Sequence, residues 1–190
     1  MSMTPDAKKL LATTIRALRA RLLTELAERT RSVYQLSLKA KDTTLDEENT
    51  CKRRRLEEFL EDQVRAQPGR DKPRDAADFR QEVEQTAAYT LLNRLVVLRI
   101  MEATGLRRQA LVTQGWESPA YKTFRDLAPT LRDDESEGYE LLLSLVFEEL
   151  AGELPGLYGP AGPGGVADLI QVPPSILRHV IEALDQPGLA

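Results

Sequence analysis

The chain has 190 residues, and its 42% of hydrophobic and 29% of charged residues are typical of a folded domain with a real core. Aromatic residues make up only 5%, and abundant Leu, Ala, Arg and Glu favour helices because long unbranched side chains lose little rotamer freedom on a helix. One cysteine, Cys51, excludes a disulfide framework, and with the single histidine, His179, it supplies too few ligands for a metal site. No apolar run approaches the roughly 20 residues of a membrane span, and arginines occupy the segment where an export signal would be apolar. We therefore expect a cytoplasmic, all-α protein without a membrane partner.

The formal net charge of -4 hides an asymmetry between the two halves of the sequence. Residues 1–80 hold 18 Lys and Arg against 14 Asp and Glu, whereas residues 81–190 hold 8 against 16. A basic half joined to an acidic half is compatible with nucleic acid on one side and a protein neighbour on the other.

Two amphipathic helices are predicted first. Thr4-Pro5-Asp6 is typical of a helix start, and a long N-terminal helix follows that we expect to run through Leu36 and to end near residues 41–44. Its buried stripe has spacings of three and four: Leu11, Ile15, Leu18, Leu22 and Leu26. A second helix is predicted from Leu45 to Pro68-Gly69. It buries Leu56, Phe59, Leu60 and Val64.

The strongest predicted element is one long central helix over about residues 75–104. Asp75 is a good N-cap and Gly105 a good terminating glycine. The predicted inner face consists of Phe79, Val83, Ala87, Leu91, Leu95, Leu98 and Met101, and a second apolar stripe holds Leu92, Val96, Val97 and Ile100. The predicted fold is an irregular all-α bundle around this helix. The predicted domains are an N-terminal helical hairpin or arm (1–66), a linker (67–75), a helical core (76–186) and a tail (187–190).

Three further helices are predicted after Gly105. One starts at Ser118-Pro119, one at Ser136-Glu137 and the last at Pro173-Pro174-Ser175. The middle one is expected to run through Leu141, Leu142, Leu145, Val146 and Leu150 to Gly152. Residues 152–165 are too rich in glycine and proline for regular structure, and residues 168–171 are expected to be briefly extended.

The only concentrated cationic residues lie in and after the second helix. Candidate DNA contacts are Lys52, Arg53, Arg54, Arg55, Arg70, Lys72 and Arg74, because such side chains bind phosphates by charge and counterion release. The alternative is a solvated helix face. The carboxylates that would neutralise it are Glu57, Glu58, Glu61 and Asp62.

Polar residues also interrupt the apolar central helix: Tyr89, Asn93, Arg94, Arg99 and Glu102. Burying such groups is costly unless each finds a partner. Tyr89 with Asn93, and Arg99 with Glu102, have spacings that allow local pairing. We interpret the five as a structural network that fixes helix register, in preference to a catalytic set.

Nothing else assembles a catalytic site. The glycine-rich stretch 159–165 lacks the Lys-Ser/Thr of a phosphate loop, and Val172-Pro173-Pro174-Ser175 lacks the amide and ring of the Asn-Pro-Pro-Tyr motif that binds a flipped adenine. His179 has no nucleophile with a supporting acid near it in sequence. We expect no catalytic residue, no metal and no cofactor in this chain.

The segment AYTLLNRLVVLRIMEATGL, residues 88–106, resembles the Ala-Tyr-Thr-x-x-Asn-Arg-Leu-x-x-x-Arg-x-Met-Glu signature near the N-terminus of BREX-type phage-exclusion methyltransferases, the PglX family, and of related type IIG-like and DISARM methyltransferases. Leu157-Tyr158-Gly159, Leu169-Ile170 and the passage from Pro174 to Ile181 are similar to the family's passage toward its methyltransferase core. The matches span roughly residues 76–186.

This resemblance implies a place in a larger enzyme. The family uses S-adenosylmethionine to methylate adenine in host DNA, and its cofactor and catalytic motifs lie downstream of the helical region. Because this sequence holds neither, we expect a fragment or one piece of a split enzyme. Its expected role is an accessory domain that positions DNA or other defence-system proteins beside a downstream methyltransferase core, with S-adenosylmethionine bound in the full-length enzyme. The alternative is a standalone helical adaptor or inhibitor whose central helix docks a partner groove.

Overall fold

The computed structural model describes residues 5–67 and 72–186, and every regular element in them is helical. The α-helices are α1 (Pro5–Ser32), α2 (Glu47–Arg65), α3 (Ala76–Ala103), α4 (Pro119–Leu127), α5 (Tyr139–Glu153), α6 (Pro155–Tyr158) and α7 (Pro174–Leu184). Short 3₁₀ turns lie at Ala40–Asp42, Gly115–Glu117, Pro129–Asp133 and Pro163–Leu169. The all-α prediction is confirmed. None of the described helices combines the length and the apolarity needed to cross a membrane.

The described residues form two compact units, each built from separate stretches of chain. The α2 unit comprises residues 22–67, 72–89 and 160–172, and the α5 unit comprises residues 5–21, 90–159 and 173–186. The boundary between them falls within α1 and again within α3. The sequential domains expected from the sequence stay a prediction. Their tail and the linker residues 68–71 lie outside the described residues.

The long N-terminal helix is confirmed, but it ends earlier than predicted. Leu18, Leu22 and Leu26 are buried as expected, while the proposed cap Thr4 lies outside the described residues. α1 stops at Ser32 and not at Leu36, because Gln35 adopts a left-handed conformation with φ 50°. The Leu36 amide then donates to the Thr30 carbonyl at 3.0 Å, which closes the helix end.

α3 confirms the predicted central helix and both of its ends. The Asp78 amide donates to Asp75 Oδ1 at 2.9 Å, and the Asp75 amide donates back to Asp78 Oδ2 at 3.1 Å, a reciprocal cap. Gly105 ends the helix with φ 74°. Most of the predicted inner face is buried: Phe79, Val83, Ala87, Leu95 and Leu98. The second stripe is covered only in part, because Ile100 is 49% exposed.

The C-terminal elements correct three expectations. α5 begins at Tyr139, because Glu137 and Gly138 still have positive φ. Its buried face is therefore Tyr139, Leu143, Val146 and Leu150, and Leu141 and Leu145 point outward. The glycine- and proline-rich stretch is irregular only in part, since it contains α6 and the start of the 3₁₀ segment Pro163–Leu169, in which Gly164 and Gly165 keep a left-handed backbone. That segment includes Asp168 and Leu169, so the extended piece predicted over residues 168–171 is wrong at its first two residues, whereas Ile170 is extended. The starts predicted at Ser118-Pro119 and Pro173-Pro174 are confirmed.

Candidate functional site

Glu102, in the last turn of α3, holds the loop that follows the helix. Its Oε1 accepts the backbone amides of Leu111 at 2.8 Å and Val112 at 2.9 Å. Its Oε2 accepts the amide of Thr113 at 2.7 Å and the hydroxyl of the same residue at 2.6 Å. Hydrogen bonds to an ionised acceptor are about twice as strong as neutral ones. One carboxylate thus orders three successive residues of the α5 unit.

Arg94, about two turns earlier on α3, holds a second loop in the same way. Its side chain is buried, and its guanidinium donates to the carbonyls of Leu157 at 3.2 Å and Gly159 at 2.6 Å. The hydroxyl of Tyr158 returns a hydrogen bond to the Arg94 carbonyl at 2.9 Å. Burial raises the pKa of Tyr158 to about 12. A side chain on Gly159 would meet the Pro155 carbonyl oxygen at 2.3 Å, so only glycine fits here.

Arg99 and Asp185 complete the polar interior of the α5 unit. Arg99 Nε lies 4.0 Å from Asp185 Oδ1, and Asp185 Oδ2 accepts the amide of Gln114 at 2.9 Å. Gln114 has a left-handed backbone with φ 66°, a strained conformation for a residue with a side chain. The Asp185 carboxylate thus holds a strained turn through its hydrogen bond to Gln114.

The predicted network in α3 therefore needs correction in how its members act. Arg94 and Glu102 are each hydrogen-bonded to a different distant segment, and Glu102 bonds to residues 111–113 although the sequence spacing also allowed local pairing with Arg99. Arg99 Nε lies 4.0 Å from Asp185 Oδ1 and has no hydrogen-bond partner among the described residues. Asn93 is exposed and Tyr89 is half-buried. The structure places Arg94, Arg99 and Glu102 in one unit, where Arg94 and Glu102 each hold a distant loop.

Arg53, the second residue of the basic run, lies in the interior of the α2 unit. It is only 2% exposed, and its guanidinium donates to the carbonyls of Tyr34 at 3.0 Å and Leu38 at 2.7 Å, and to Gln35 and Glu57. These bonds hold the turn that follows α1. Arg53 is unsuited to bind phosphate, which corrects its place among the DNA candidates.

The other cations of α2 mostly have partners on the same helix. Lys52 bonds to Glu48 and to Gln171, the latter at 2.8 Å. Arg54 lies 4.0 Å from Glu58. Arg55 is exposed. The helix as a whole carries five basic and six acidic side chains, so i,i+4 pairs neutralise most of the run.

The remaining DNA candidates lie near the start of α3. Arg74 pairs with Glu82 at 2.7 Å and stacks 4.4 Å from the Phe79 ring centroid, whereas Lys72 is exposed. Arg70 lies outside the described residues. DNA contact by the exposed cations stays a prediction.

A cavity of about 250 Å³ in the α2 unit is lined by apolar side chains and by Arg74 and Glu82. Its walls include Phe59, Phe79, Val83, Val166 and Ala167. Because Arg74 and Glu82 already pair with each other, the cavity presents no unpaired charge from these two residues.

The α5 unit contains an aromatic stack that the sequence analysis did not identify. Trp116 stacks on Tyr139 with ring centroids 3.8 Å apart, and the Arg178 guanidinium lies 4.1 Å from the Trp116 centroid on the same indole. Trp116 Nε1 donates to the Ser136 carbonyl at 3.2 Å, and the Tyr139 hydroxyl donates to the Leu111 carbonyl at 2.9 Å. Burial holds the pKa of Tyr139 far above its ordinary value. Every polar atom named here already has a protein partner, so the stack is core.

The described residues contain no group of three or more His, Cys, Asp and Glu side chains that could hold a metal ion. Cys51 and His179 are both exposed, and they belong to different units. Pro173 and Pro174 serve as the start of α7. The described residues thus offer structural clamps and charged surfaces. Comparisons of the chain with models of protein families, with curated proteins and with solved structures found no match.

Proposed function

We propose that this chain is a non-catalytic helical accessory region of an S-adenosylmethionine-dependent adenine DNA methyltransferase, of the BREX type or a related phage-defence or restriction-modification system. The observation that carries the proposal is a contact between two segments of the family resemblance. Arg94, in the signature over residues 88–102, bonds to Leu157 and Gly159, and Tyr158 bonds back to Arg94. The signature segment and the segment at residues 157–159 both resemble the family in sequence. Hydrogen bonds of Arg94 and Tyr158 therefore join two parts of the resemblance.

The roles of these residues support an accessory function. Arg94 and Glu102 are occupied by backbone carbonyls and amides, so neither is available to act on a substrate. A signature made of such residues marks a fold, and a chain that carries it would share that fold with the enzymes it resembles. In this proposal the cofactor and the adenine-binding motif belong to a methyltransferase core, and this region packs beside it to position DNA or defence partners.

A second candidate function is an interaction adaptor or inhibitor. Its supporting observation is the exposed pair of leucines on α5, Leu141 at 45% and Leu145 at 46%. Solvent-exposed apolar patches mark sites of protein contact.

The proposal is tested by mapping N6-methyladenine in genomic DNA by long-read sequencing. Deleting this coding sequence from its source organism should abolish adenine methylation at one sequence motif, and the wild-type chain should restore it. Complementation with Arg94→Ala should restore it poorly, because the loop at residues 157–159 loses its clamp. The matched control is Asn93→Ala, an exposed neighbour on the same helix that should restore methylation fully. A methylation map unchanged by the deletion would rule out the methyltransferase role and favour the adaptor.

A further inference from the structure

The outward side of α5 carries two leucines one helical turn apart. Leu141 is 45% exposed and Leu145 is 46% exposed, while the opposite side of the helix is buried through Leu143 and Val146. On a helix, residues at spacings of four and eleven lie close to one line, which places Gly152 on the same side as Leu141. The space beside Gly152 is open, since no heavy atom outside its own backbone lies within 4 Å of where a side chain would begin.

Carboxylates border this apolar line. Glu148 and Glu149 are both exposed on the same outward side, and residues 133–153 contain eight acidic and no basic side chains. Arg107 pairs with Glu149 at 3.2 Å, which brings one cation from outside the helix. Arg178 pairs with Glu137 at 3.2 Å, so two carboxylates of this stretch are balanced by cations from outside it.

Leu106, just beyond α3, is also exposed, at 76%. We call the surface formed by Leu141, Leu145, Glu148, Glu149 and Gly152 the α5 face.

We propose that the α5 face binds a basic amphipathic helix of a partner protein. From Leu141 to Gly152 the face is about 16 Å long, which matches about three turns of a helix. Leucines one turn apart fit apolar residues at i and i+4 of a docked helix, and the glycine allows a close backbone approach at one end. The carboxylates select lysine or arginine beside those apolar residues, and they repel DNA phosphates and anionic lipid. This inference rests on the exposed leucines of the adaptor candidate and deepens it, and it does not depend on the proposed methyltransferase role.

The test uses the full chain and two synthetic peptides in fluorescence anisotropy. The probe is a fluorescein-labelled helical peptide with leucines at i and i+4 and lysines on both flanks, and the reference peptide has glutamate at each lysine position. We expect micromolar affinity for the basic peptide that weakens with added salt, and no measurable binding of the acidic one.

Substitutions on α5 test whether the basic peptide binds at the α5 face. Leu141→Ser/Leu145→Ser should weaken the affinity for the basic peptide tenfold or more. This is on the order expected for losing two buried leucine contacts. Glu148→Gln/Glu149→Gln should weaken it several-fold and flatten the salt dependence. The matched control is Leu127→Ser, which changes a leucine that is 80% exposed on α4 and should leave binding unchanged. Circular dichroism and Trp116 fluorescence should be the same in all variants, because every changed side chain is exposed.

Equal binding of both peptides, or binding that survives Leu141→Ser/Leu145→Ser, would overturn the proposal. So would the absence of binding to the basic peptide. A dimer in sedimentation experiments that the same double substitution dissociates would also overturn it, because the occupant would then be a second copy. None of these binding measurements depends on genomic methylation. Failure of this proposal can therefore be distinguished from failure of the methyltransferase proposal.

Discussion

α2 and α5 are both strongly charged helices, but their charges have different partners. α2 carries five basic and six acidic side chains, and four of its cations pair with carboxylates on the same helix: Lys52, Arg53, Arg54 and Arg65. α5 carries four acidic and no basic side chains. Its Glu149 pairs with Arg107, which lies outside the helix.

The difference shows that charge density along a sequence is a poor guide to a binding surface. The basic run of α2 is the densest cationic stretch in the sequence, but its second residue, Arg53, is buried in the fold. The acidic stretch around α5 looks like an ordinary solvated run, but it borders exposed leucines. Pairs one helical turn apart neutralise most of the charge on α2, whereas α5 has no basic side chain to form them.

Among the acidic residues, the largest effect is expected at Glu102, whose carboxylate the fold uses, in contrast to the carboxylates of the α5 face. Glu102→Ala should lower the free energy of unfolding by about 3 kcal/mol, because the amides of residues 111–113 lose a charged acceptor. Glu102→Gln should lose less, since one carbonyl oxygen remains. Urea unfolding followed by Trp116 fluorescence measures both, as this residue lies in the same unit.

Glu148→Ala is the control for that comparison, and it should change stability by less than about 0.5 kcal/mol. Equal losses from Glu102→Ala and Glu148→Ala would remove the distinction between carboxylates used by the fold and carboxylates of the α5 face.

A second, smaller effect is expected at alkaline pH in the α5 unit. The folded-state pKa of Tyr158 is raised from 10.0 to about 12, so its contribution to stability is fully present below pH 10 and is lost as pH rises toward 12. The wild-type free energy of unfolding should fall across this window, and Tyr158→Phe should make that fall shallower. Urea titrations at successive pH values measure the slope. An unchanged slope in the variant would contradict the assignment.

The smallest expected effects concern the cations left exposed on α2. If the chain contacts DNA through them, duplex affinity should fall with salt, and Arg55→Ala should reduce the slope of that dependence by about 1. Anisotropy with labelled duplex measures it. A weak, flat response in the wild type would remove DNA from the partners of this surface.

Local features of the fold followed from the sequence. The apolar periodicity of α1 and α3, the cap at Asp75, the terminating Gly105 and the Ser118-Pro119 start all depend on residues within a few positions of each other. Such interactions can be inferred from spacing alone.

Features that depend on distant partners did not follow. Arg53 binds carbonyls 15 to 19 residues away, and Arg94 binds carbonyls more than 60 residues away. The neighbouring sequence of either arginine therefore does not indicate that its side chain is buried. Left-handed Gln35 ends α1 without a glycine or proline signal. Glu137 and Gly138 delay the start of α5, and the buried face that results leaves Leu141 and Leu145 outside the core.

The most direct test of the claim that the fold uses the basic run compares two variants within it. Arg53→Ala should lower the free energy of unfolding by about 3 kcal/mol, because Glu57 and three carbonyls lose a buried cation. Arg54→Ala/Arg55→Ala should change it by less than about 0.5 kcal/mol, because both side chains are exposed. Urea unfolding by far-UV circular dichroism gives both values. Equal losses, or a stable Arg53→Ala variant, would contradict the account.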